Sequence, residues 1–345
     1  MSFKGILFFA VISSLLLSFA NQKKQVSILD FGKQNKDYII GFYNVENLFD
    51  TIDDPHKNDN EFLPSNKKQW NTERYTKKLN DLADVIYSID STNLPVVFGL
   101  AEVENKTVVE DLVATAKLKG HYAVIHKESP DPRGIDVAVI YQPSKFTLIS
   151  EEWIRFQLPD KERPSTRDIV YVKGTILKKD TLHFFFCHWP SRYGGTEKTI
   201  PFRAKAASSL RAKVDSLYKI NPNAKIIIMG DLNDHPEDPS VNETLNAKRS
   251  ESDLINLMWQ FKDKNQGTHN YKGEWGVLDH IIVSNSLLSK NKGLSTIENL
   301  AQIHKPGFVL YKNAKGEESP SRTYGGTNYY GGYSDHLAVY LRLKK

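Results

Sequence analysis

Short apolar runs recur along the chain, and the residues just beyond them are carboxylates, amides and imidazoles. Tyr38–Tyr43, Leu94–Leu100, Tyr122–Ile125, Ile135–Tyr141, Lys225–Met229, Val277–Val283 and Leu337–Leu343 have the length and the β-branched or aromatic content of buried strands. Asp168–Leu177 and Leu182–Cys187 read as a hairpin turned at Lys179 and Asp180. Helical spacing places Leu79, Leu82, Ala83, Val85 and Ile86 on one face of a helix over residues 72–89. A second helix is expected from about Thr107 to Lys119, and a third over residues 199–219 with Pro201 in its first turn. Residues 50–69, acidic and carrying Pro55 and Pro64, read as a surface loop, and Pro130, Pro132 and Gly134 as turn signals. Strands outnumber helices and do not alternate strictly with them. That argues against a doubly wound parallel sheet and for two packed sheets with helices outside.

Composition narrows the class. The 345 residues suffice for one large domain, and 40% hydrophobic content supports a real core. The formal charge of +5 comes from scattered Lys and Arg, which permits an anionic substrate without demanding nucleic acid. Residues 1–20 stand apart: Lys4, an apolar stretch to Leu17, then Ser18-Phe19-Ala20 before polar Asn21. This is the pattern of a cleaved signal peptide. The apolar stretch is short of the ~20 residues that a spanning helix needs. Residues 21–37 read as a polar leader, and residues 38–345 as one domain without internal repeats. An exported chain with the single cysteine Cys187 forms no intramolecular disulfide and relies on its core. A periplasmic or secreted location follows, with no integral membrane segment once the leader is removed.

The polar clusters carry the chemistry. Asp231 and Asn233 follow Ile226-Ile227-Ile228-Met229-Gly230, two apart and so on one face if the segment stays extended. Asp231 can accept a proton from water, and Asn233 can hold an oxygen. A calcium loop over Asp231, Asn233 and His235 is disfavoured by Pro236 at the position that needs glycine. His336 precedes the last strand. Adjacent strand residues point opposite ways, so Asp335 does not orient it; Asp279 is the expected partner, leaving Asp335 to face a metal. Glu102 ends a very apolar strand, where an unpaired charge costs several kcal/mol, and Asn44 ends another. A carboxylate and an amide oxygen are ligands that Mg²⁺ accepts. His188 follows the Phe184-Phe185-Phe186-Cys187 strand. Asp136 is its expected orienting carboxylate, and Arg192 an expected phosphate grip. Cys187, pointing away from His188, is read as a buried residue and not a nucleophile.

In this order the clusters Tyr43-Asn44-Val45-Glu46-Asn47, Ala101-Glu102-Val103-Glu104-Asn105, His188-Trp189-Pro190-Ser191, Gly230-Asp231-Leu232-Asn233-Asp234, Asp279-His280 and Ser334-Asp335-His336 resemble the endonuclease/exonuclease/phosphatase superfamily, above all its secreted bacterial members. The resemblance runs from about Tyr38 to Leu343. It implies an α/β (α+β) fold, a four-layer α-β-β-α sandwich of the DNase I-like kind. It implies Mg²⁺ or Mn²⁺ held with help from Asn44, Glu102 and Asp335. Asp231 and Asn233 would position the attacking water or the phosphate, and His188 and His336, the latter held by Asp279, would be the two family histidines. The activity implied is metal-assisted attack of water on a phosphate ester. The substrate placed first is nucleic acid, and an ester of a small or lipid phosphate second. The segment Tyr324–Tyr333 is either a substrate-touching aromatic loop or a plain glycine-rich connection.

Overall fold

The computed structural model describes residues 37–345 apart from 161–165, 179, 289–292 and 297–300. The leader expected over residues 1–20 and the polar stretch to residue 36 lie outside the described residues, as does Lys179 of the expected turn. Among the described residues no helix is long and apolar enough to cross a membrane.

Eight strands lead the chain: β1 (Tyr38–Leu48), β2 (Val97–Val103), β3 (Ala123–Ile125), β4 (Asp136–Tyr141), β5 (Phe146–Ile154), β6 (Ile169–Ile176), β7 (Asp180–His188) and β8 (Lys225–Asp231). One six-stranded sheet runs Gln302–Ile303, Val339–Leu343, β1, β2, β4, β3. A seven-stranded sheet runs β5, β6, β7, β8, Asp279–Ser284, Leu254–Asn256, Ala247–Lys248. Both are mixed, with β1 parallel to β2 and β7 parallel to β8.

Strand alternation sorts the side chains into layers. Ile40 and Phe42 of β1, Val139 of β4, Phe184 and Phe186 of β7, Ile227 and Met229 of β8 and Ile281 and Val283 meet between the sheets. The opposite faces of β1, β2 and β4, with Tyr43, Leu100 and Ile140, pack on helices Thr72–Ile89 and Lys106–Ala114. The outer face of the second sheet, with Phe185, Cys187, Ile226 and Ile228, packs on helix Thr196–Ile220. The order is helix, sheet, sheet, helix, as expected. Gly99 makes the close approach possible, because a Cβ there would lie 2.2 Å from the Phe186 ring.

Element ends differ from expectation where local polar groups intervene. The second helix stops at Ala114, since the Thr115 hydroxyl takes the Leu112 carbonyl. The third begins at Thr196, which puts Pro201 inside it; the carbonyl left without a donor belongs to exposed Glu197. β5 is an edge strand with mostly exposed residues. Only Phe146, Leu148 and Trp153 turn toward the core between the sheets, and the bulge after Leu148 breaks their alternation.

Candidate active site

The layer between the sheets ends in polar residues at one rim. Asn44 continues the inward column of Ile40 and Phe42. His188 continues that of Phe184 and Phe186, Asp231 that of Ile227 and Met229, and Asp279 leads that of Ile281 and Val283. The register aligns His188 with Asp231 and Asp231 with Asp279. β1, β2, β7 and β8 end at this rim, while Asp279–Ser284 and the terminal strand begin there. Residues scattered from 44 to 336 therefore converge.

Glu102 reaches the rim by a break in pattern. Ala101 packs between the sheets, yet Val103 packs on the helices, so the strand absorbs one extra residue at Glu102, whose φ is 65°. β1 has a matching irregularity at Glu46 and Asn47, with φ of 51° and 54°. Left-handed backbone at non-glycine residues is costly and concentrates at functional sites. Asn233, at 51°, is another such residue.

Asp231 is the hub. Its Oδ2 accepts from Asn44 Nδ2 at 3.1 Å and lies 3.6 Å from His188 Nε2 and 3.8 Å from His336 Nε2. Its Oδ1 accepts the Asn233 N–H at 2.9 Å. His336 Nδ1 is 2.7 Å from Asp279 Oδ2, the expected pairing. Asp231, Asp279 and His336 present ligand atoms within 4.8 Å of one another. Burial raises Asp231, with Asp279 adding to it and His336 opposing, to about 7. For His336 burial works downward, but Asp279 and Asp231 hold it well above the ordinary histidine value. His188 is pushed well below that value by burial and by Arg167 and Arg133. The two imidazoles are thus pushed in opposite directions, His336 toward the cation and His188 toward the neutral form, on either side of one carboxyl group.

Several assignments change. Asp136 does not orient His188: its carboxylate lies 3.1 Å from His126 Nε2 and accepts the Ser129 N–H. His188 Nδ1 is buried without a hydrogen-bond partner. Arg192 is not a free phosphate grip. Its guanidinium donates to the Asn233 carbonyl and to the carboxylates of Asp234 and Asp238, so protein acids already occupy it. Asn44 Oδ1 accepts the Glu46 N–H at 3.1 Å, while Nδ2 donates to Glu102 and Asp231. The chain turns at Asn233, so it does not share an extended face with Asp231; its Nδ2 donates to the Trp189 carbonyl. Cys187 packs under the helix as expected, and burial pushes its thiol well upward.

The groups that could hold a cation are carboxylates. Glu102 Oε1 lies 3.3 Å from Asn44 Nδ2 and 3.7 Å from His188 Nε2. Asp335 lines a cavity of about 420 Å³ together with Glu46 and Asn47 and accepts from Arg322 at 2.7 Å. Burial and then Asp335 raise Glu46 to about 7. The neighbouring carboxylates of Glu46 and Asp335 share the Arg322 guanidinium, at 3.9 and 2.7 Å; with Glu102 and the buried Asp279 Oδ1, which has no partner, they are oxygen donors of the kind that a hard divalent ion takes.

Three contributors escaped the sequence reading. Glu46 accepts the Thr323 and Tyr324 N–H groups at 2.6 and 3.2 Å. Lys78, 2% exposed, donates to Thr323 Oγ1 and the Tyr333 carbonyl. Its signal was a lysine one turn before Leu82 on the apolar stripe. His269 bridges to His336 with ring centroids 4.9 Å apart, and burial, then His336, lower it to about 4. Nothing in its local sequence marks it.

A family model described as Endonuclease/Exonuclease/phosphatase family matches residues 39–345. No curated protein matches the chain. Among solved structures, a Bacteroides thetaiotaomicron mannosyl-6-phosphatase aligns with TM-score 0.56 at 14% identity over 89% of this chain and 100% of that one. D. rerio TDP2 complexed with single strand DNA product aligns with TM-score 0.53 at 16% identity, over 90% and 100%. The human Nocturnin catalytic domain aligns with TM-score 0.52 at 14% identity, over 91% and 97%. At these identities the likeness is one of fold.

Proposed function

The chain belongs to the endonuclease/exonuclease/phosphatase family, and from that premise we propose that it is an exported phosphoesterase, dependent on Mg²⁺ or Mn²⁺, that hydrolyses its substrate with water and without a covalent enzyme intermediate. The observation that carries this is the hub at Asp231, a buried carboxyl group with His188 Nε2 at 3.6 Å and His336 Nε2 at 3.8 Å.

Asp231 takes a proton from the attacking water, and Asn44 keeps its carboxylate aimed into the site. The His336 imidazolium, steadied by Asp279, places positive charge beside the phosphate. Neutral His188 offers an Nε2 to a phosphate oxygen or to water. Glu102 and Asp335, with Glu46 behind them, would hold the divalent ion, which when bound offsets charge on the phosphate and the leaving oxygen. Asn233 fixes this arrangement by tying the Asp231 turn to Trp189. Export rests on the composition of residues 1–20, and a shortened N-terminus on protein recovered outside the cytoplasm tests it.

Two substrate readings have support. A nucleic-acid ester, the first expectation, is supported by the DNA product complex among the similar folds. A small phosphate ester is supported by the mannosyl-6-phosphatase. The deciding experiment offers the full chain plasmid DNA, RNA, a phosphodiester dye and a phosphomonoester dye, with Mg²⁺ or Mn²⁺ and with chelator. At least one ester should be cleaved with metal, not with chelator, and not by Glu102→Gln. Hydrolysis indifferent to chelator, or none with either metal, refutes the proposal.

A further inference from the structure

The cavity of about 420 Å³ that holds the Asp335 and Glu46 carboxylates is also lined by residues of two other segments. One is the Tyr324–Tyr333 segment, which is no plain connection: Tyr324–Gly325 pairs with Asn328–Tyr329 as a small hairpin. Glu46 fixes its start through two N–H groups, and Lys78 fixes both its base and its end through Thr323 and Tyr333. The other supplies Glu61, Phe62 and Lys68. The volume falls in the range of roughly 300–1,000 Å³ usual for small-molecule sites.

The aromatic residues of this cavity are not a stacking platform. Phe62 lies flat on Phe49 with centroids 4.2 Å apart, and Lys68 Nζ sits 3.9 Å from the Phe62 centroid. Tyr324 is packed by Trp70 and Tyr329 and has the same Lys68 Nζ at 5.2 Å. A nucleobase needs an open ring face, and these rings are already covered. Nor is the cavity a positive channel for a polyanion, since Lys68 and Arg322 are matched by Glu46, Glu61 and Asp335. What it does present is a close mixture of donors and acceptors: Asn47 and Thr327, with two ion pairs whose remaining N–H groups and oxygens are still available, Lys68–Glu61 at 3.2 Å and Arg322–Asp335 at 2.7 Å. That is the complement of vicinal hydroxyl groups.

We propose that this cavity is the leaving-group subsite and takes the hydroxylated ring of a sugar phosphate monoester, with Lys68 as a specificity-determining residue. The inference rests on the phosphoesterase reading above and names its substrate class. In the reaction, the water oxygen forms a new bond to phosphorus and the P–O bond to the sugar breaks, its electron pair leaving on the sugar oxygen. One proton of the water ends on the sugar hydroxyl and the other on inorganic phosphate.

The test compares a hexose 6-phosphate, an aryl phosphate and a single-stranded oligonucleotide as substrates of the full chain with Mg²⁺. The hexose ester should be used with kcat/KM at least about tenfold above the aryl ester. Lys68→Ala should raise KM for the hexose ester about tenfold with kcat within about twofold, and lower the sugar-over-aryl preference accordingly. Thr327→Val, at the exposed hairpin tip, should shift the preference the same way and guards against a Lys68 variant that does not fold. Equal use of sugar and aryl esters, preference for the oligonucleotide, or equal loss on both monoesters in the variants overturns the inference while the phosphoesterase stands. Cleavage of no ester in the wild-type chain removes both.

Discussion

At the scale of single residues, charge state follows from position. Asp231 and His336 are both buried, yet burial raises the first while the carboxylates around the second overcome the opposite tendency. The two groups thus form a charge-coupled pair 3.8 Å apart. Glu102→Gln, Asp231→Asn and His336→Ala should each lower turnover by at least ~10²-fold with the fold intact by circular dichroism. Near-normal rates in all three would remove the site. The pH profile should show an acid limb with an apparent pKa at or below about 7, because protonated Asp231 cannot take a proton from water and a bound cation lowers its value further. An activity plateau extending unchanged to pH 4 would count against Asp231 as the base.

At the scale of elements, irregularities do the placing. The extra residue at Glu102 turns a side chain toward the site that strict alternation would have sent to the helices. Gly230 lets β8 pass close to β7 just before Asp231, since a Cβ there would lie 2.3 Å from the Cys187 carbonyl oxygen. Gly230→Ala should destabilise the protein by ~1–3 kcal/mol in denaturant melts, the usual range for overpacking, and should lower kcat by displacing Asp231. Unchanged stability would mean that the strands have room to separate. Arg192 shows the reverse lesson. Its sequence neighbourhood suggested a phosphate contact, but the turn after β8 brings Asp234 and Asp238 to it first.

At the scale of the molecule, the rim where both sheets end is a surplus of carboxyl groups on a shared apolar foundation. A divalent ion that binds only the folded protein stabilises it, by about 2.7 kcal/mol at a concentration one hundred times its Kd. The melting temperature should therefore rise with Mg²⁺ or Mn²⁺, and the rise should shrink in Glu102→Gln. A shift equal in variant and wild type would place the ion elsewhere.

The sequence by itself determined what is periodic or local. Apolar runs specified the strands, and the polar residue after each run identified the rim. The edge strand β5 carried a weak signal, because only Phe146, Leu148 and Trp153 face the core between the sheets and a bulge after Leu148 interrupts their spacing. Only the tertiary structure decided which polar groups use one another up. Asp136 went to His126, the Asn44 oxygen to a backbone N–H, and Arg192 to two acids, while Glu46 and Lys78 emerged as the anchors of the Tyr324 hairpin. A buried hydrogen-bonding group takes whichever partner the fold brings within about 3 Å, and sequence spacing carries no information about that distance.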